Sequence, residues 1–112
     1  MIGHNSPEWV IAFIASVSAN MVASGVYPTN TAEACFYQAE HSEAELIVVD
    51  SIEQLKKYEI NLHKLPNLKF IVIYSLDKLP SDVNDKRYYL WKDFLNLGKD
   101  VKDEVVIERM YK

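Results

Sequence analysis

Two runs, ELIVVD (Glu45–Asp50) and KFIVIYS (Lys69–Ser75), carry four consecutive apolar residues each with no alternation of polar and apolar positions. A strand with one wet face alternates; a strand buried on both faces does not, and such strands belong to parallel sheets covered by helices. Between the runs, Leu55, Tyr58, Leu62 and Leu65 recur at helical intervals, with Lys56, Lys57, Glu59 and Lys64 on the other faces, until Pro66 ends the pattern. Asp50 and Ser51 each suit the cap of this helix, and Asp50 to Glu53 has the spacing of a capping box. Strand, helix and strand in this order predict parallel pairing through a crossover.

The same grammar extends to both sides. Upstream, MVASGVY (Met21–Tyr27) reads as a short strand, and the Pro28–Thr31 turn follows it. Asn30 with Glu33 repeats the capping-box spacing ahead of a helix over Ala32–His41. Before that, NSPEW begins a helix over Pro7–Ala19: Ser6 caps, Pro7 fills a position whose amide hydrogen needs no helical partner, and Glu8 meets the positive dipole end. Ile2–Gly3 in front of it reads as the last residues of a buried strand, so a strand is expected ahead of this turn. The helix is apolar nearly all round, from Trp9 to Ala19, which demands cover on more than one side. Downstream, the polar stretch 76–89 is expected to be a mobile loop, and a helix over Leu90–Leu97 ends at Gly98 as a left-handed cap. The tail holds an apolar cluster, Val105–Ile107, without a clear period. These elements make one α/β unit: a short parallel sheet with crossover helices in three layers.

Composition removes several function classes. The net charge of -4, with basic residues scattered as pairs such as Lys56-Lys57 and Lys86-Arg87, gives no footprint for nucleic acid. Cys35 is the single cysteine, so no internal disulfide forms. No basic flank of a secretory signal precedes Trp9. Trp9–Ala32 holds no charged residue, yet its second half is crowded with Ser, Thr, Asn, Gly and Pro, and Trp9–Ala15 is too short to cross a bilayer.

Candidate chemistry gathers at the carboxyl ends of the strands, where parallel sheets bind ligands. Asp50 suits a ribose-binding acid, a phosphoacceptor or a plain helix cap. A dinucleotide site needs GxGxxG, and Gly3, Gly25 and Gly98 are the chain's three glycines. A phosphoacceptor needs further acids and a late lysine that the motif order does not supply. Cys35 and His41 lie six positions apart on one helix, on different faces, so they make no nucleophile and base. His4, His41 and His63 lack ligand spacing, and no metal ligand set is expected. The Tyr27–Asn30 turn offers hydroxyls and an amide, equally explained by capping. From the residues alone, no catalytic, cofactor-binding or metal-binding residue is assigned.

Taken in order, GHNSPEW, GVYPTNTAEACFYQAEHSEAELIVVD, QLKK, LPNLKFIVIY and the spaced Trp91, Phe94, Leu97 and Gly98 resemble one region of the adenylate-forming ligases, in particular the bubblegum-type long-chain and very-long-chain acyl-CoA synthetases. The resemblance covers Ile2 to Gly98, and Asn30–Asp50 is its most specific block. It implies that residues 1–112 are part of an AMP-binding N-terminal domain. The family activates a fatty acid with ATP and magnesium to an acyl-adenylate and passes the acyl group to coenzyme A. Its phosphate loop, adenine and ribose segments and catalytic lysine match nothing here, so the resemblance implies an inactive fragment with no site residue of its own. The implied partners are the remainder of the synthetase, fatty acid and coenzyme A; the implied location is cytoplasmic, with peripheral attachment to the endoplasmic reticulum or another membrane. The alternative is a stand-alone α/β binding module that self-associates through its apolar first helix.

Overall fold

A computed structural model describes residues 1–82 and 85–112. The two aliphatic runs are the heart of the sheet: β1 (Leu46–Val49) and β2 (Phe70–Ile73) pair in parallel, Leu46 opposite Phe70 and Val49 opposite Ile73. Both are buried on both faces, as unalternating strands must be. Ile47, Val49, Ile71 and Ile73 join one core with Cys35, Ala39, Leu55 and Tyr58, while Val48 and Val72 point to the opposite face and are also buried.

A third strand, β3 (Tyr88–Leu90), pairs in parallel with β2. This corrects the expected loop over 76–89, whose last two residues are strand; its residues 83 and 84 lie outside the described residues. Tyr88 is buried on the core while Tyr89 packs edge-on to Phe70 and Phe94, so aromatic cover supplies what a three-residue apolar run does not advertise.

The upstream edge also differs from expectation. Met21–Tyr27 is not a strand; Val26 alone makes a bridge, and its partner is Ile2 rather than β1. Ile2 bridges Val26 on one side and Val49 on the other, in parallel with both, and is fully buried. The order across the sheet is therefore Val26, Ile2, β1, β2, β3. Met21–Gly25 gains little from an extended shape because its small and polar residues bury little.

The helices are α1 (Pro7–Ser18), α2 (Ala32–His41), α3 (Ile52–Glu59), α4 (Trp91–Asn96) and α5 (Asp103–Met110). Ser6 caps α1, its hydroxyl accepting from Trp9 N at 3.2 Å. Thr31 rather than Asn30 caps α2, and Ser51 rather than Asp50 caps α3. The expected helix through Leu65 stops at Glu59 and resumes as one 3-10 turn, Leu62–Lys64. Left-handed caps occur at Asn20 (φ 62°) and Glu43 (φ 52°), which end α1 and α2. Gly98 is not left-handed, which corrects its expected role: the backbone leaves α4 through right-handed turns, Gly98 N donating to Leu95 O.

No residue of α1 is buried. It meets α5, the helix formed by the tail whose period was unclear, yet Ile11, Ile14 and Val17 on α1 and Val105, Ile107 and Met110 on α5 remain about half exposed. The described residues leave the apolar face of α1 about half exposed, short of the cover its composition demands. Among the described residues, no helix is long and apolar enough to cross a membrane.

Candidate functional site at the carboxyl ends of the strands

The strand ends deliver Gly3–His4, Asp50 and Tyr74 to one place. Asp50 follows β1, Tyr74 follows β2, and Ile2 lies beside Val49, so the NSPEW turn passes directly over both. The Asp50 carboxylate accepts from His4 N at 3.2 Å through Oδ2, and the Tyr74 hydroxyl donates to His4 O at 3.4 Å. Asp50 N in turn donates to Ile2 O at 3.2 Å. The entry to α1 is thus strapped to the sheet by one main-chain and two side-chain bonds.

Gly3 is required by this closeness. A Cβ there would overlap the Tyr74 hydroxyl and stand 2.8 Å from the Asp50 Cβ, closer than nonbonded carbons approach. Its role is close approach, not a left-handed backbone. Burial pushes the Tyr74 hydroxyl up; a hydrogen bond with Ser6 opposes the shift, and the charges of Asp50 and Glu8 add to it. Tyr74 is accordingly a neutral donor near pH 7. Trp91, at the end of β3, packs edge-on against Tyr74 at 6.2 Å between ring centroids.

These groups hold a turn by bonding to its backbone. Asp50 does not cap α3, a place Ser51 takes, and its Oδ1 is buried without a hydrogen-bond partner. Cys35 is fully buried, its thiol 3.9 Å from Asn30 O, while His41 stacks on Tyr37 at the surface. The two do not meet, as the helix geometry requires. Tyr58 lies beside the Cys35 thiol, and burial first, then that thiol, pushes its hydroxyl up. At the Tyr27–Asn30 turn, Pro28 O accepts from Lys57 Nζ at 2.7 Å and from Gln54 Nε2 at 3.3 Å, so the turn is spent on packing α3. Sequence patterning does not single out Tyr74, Gly3 or Gln54; the last is 6% exposed on a helix whose apolar stripe hides it.

A nucleotide or magnesium ion does not fit these residues. No glycine has the positive φ that aligns a phosphate-cradling loop, the strap's donors serve its own backbone, and among the described residues no three His, Cys, Asp or Glu side chains converge. A groove of about 400 Å³ lies at the opposite ends of the strands, between the 21–26 segment and β1.

Residues 1–105 match the family model described as AMP-binding enzyme. The chain is 42% identical over 105 residues to the Xenopus laevis long-chain-fatty-acid-CoA ligase ACSBG2, covering 92% of this chain and 14% of that protein. It is 39% identical over 111 residues to the Gallus gallus ACSBG2, covering 96% and 14%. Against the Homo sapiens long-chain-fatty-acid-CoA ligase ACSBG1 it is 36% identical over 106 residues, covering 95% and 14%. It therefore spans about one-seventh of the length of these relatives. No solved structure matches. The ordered motifs, the parallel sheet and the match over residues 1–105 together place the chain in the family of AMP-binding enzymes.

Proposed function

We propose that these 112 residues are a scaffold segment of a long-chain-fatty-acid-CoA ligase, which forms acyl-adenylate and then acyl-CoA from fatty acid, ATP, magnesium and coenzyme A. The segment's task is to fix the carboxyl ends of the strands. The observation that carries this reading is the match over residues 1–105 to ligases that are about seven times longer. The strap supports it: Asp50, Tyr74 and Gly3 lock NSPEW onto the sheet, which is positioning work. By this reading adenylation belongs to sequence outside these residues, and the segment alone is inactive. Purified chain given ATP, magnesium and palmitate is expected to release no pyrophosphate above a no-protein control. Turnover proportional to chain concentration contradicts the proposal.

The half-exposed apolar faces of α1 and α5 favour a second reading, self-association of the segment. Size-exclusion chromatography across a concentration series is expected to show growth beyond monomer. A monomer that binds no apolar-surface dye argues against it.

A further inference from the structure

We draw no further inference here: the strongest candidate, the half-exposed apolar surface patch of Ile11, Ile14 and Val17 on α1 with Val105, Ile107 and Met110 on α5, carries nothing because nothing in the structure shows what covers it.

Discussion

The two ends of one sheet are treated in opposite ways. At the carboxyl ends, the chain folds back over its own strands and spends Asp50, Tyr74 and the His4 backbone on one another. At the amino ends, the backbone of β1 faces a groove of about 400 Å³. The sequence chemistry differs accordingly: a glycine, a carboxylate and a phenol meet where the main chain must come close, whereas Met21–Gly25 offers small residues that grip little. Tight closure needs particular residues; an open groove needs only backbone and apolar walls.

The largest effect is expected at the residue that serves both ends. Ile2 is fully buried and bridges Val26 and Val49, so Ile2→Ala should cost about 3 kcal/mol in urea unfolding, through lost burial and a cavity. Next comes Gly3→Ala, expected to cost about 2 kcal/mol because the new methyl overpacks Tyr74 and Asp50. Adding Tyr74→Phe, which removes the overlapping hydroxyl, should recover part of that cost; strict additivity would show that the clash lies elsewhere. Asp50→Ala should cost about 1 kcal/mol by freeing His4 N, with Asp50→Asn milder since an acceptor remains. A groove-side substitution such as Val22→Ala, at a residue 96% exposed, should fall within about 0.5 kcal/mol.

Near β3, Asp85 pairs with Arg87 at 2.6 Å, and the hydrogen bond from Arg87 holds its carboxyl below the ordinary range. A carboxyl with a lower folded than unfolded pKa stabilises the fold above its unfolded value of 3.8 and loses that contribution as pH falls through the folded value. With both side chains about 30% exposed, the loss should be a few tenths of a kcal/mol, read as the difference in acid unfolding between the parent and Asp85→Asn.

The parts legible in the sequence are those where one local rule acts without competition. ELIVVD and KFIVIYS have no reading other than buried parallel strands, and Ser6 before Pro7 has none other than a cap. Asp50 shows the limit: two capping residues stand in a row, Ser51 takes the helix, and Asp50 is released to bind His4, a partner 46 residues away that no local pattern reveals. Tyr88–Leu90 becomes a strand because β2 offers it an edge, while Met21–Tyr27, more strand-like on paper, is separated from β1 by Ile2. Gly98 misleads in the other direction, since a glycine permits a left-handed cap without imposing one.

Residue-resolved amide exchange on the unliganded chain tests the central contrast most directly. The strap predicts slow exchange at Asp50 N and Tyr74 N, which donate to Ile2 O and Val49 O, and fast exchange at Ser24 and Val48 on the groove walls. Equal protection at both ends of the sheet, or faster exchange at Asp50 than at Val48, would contradict it.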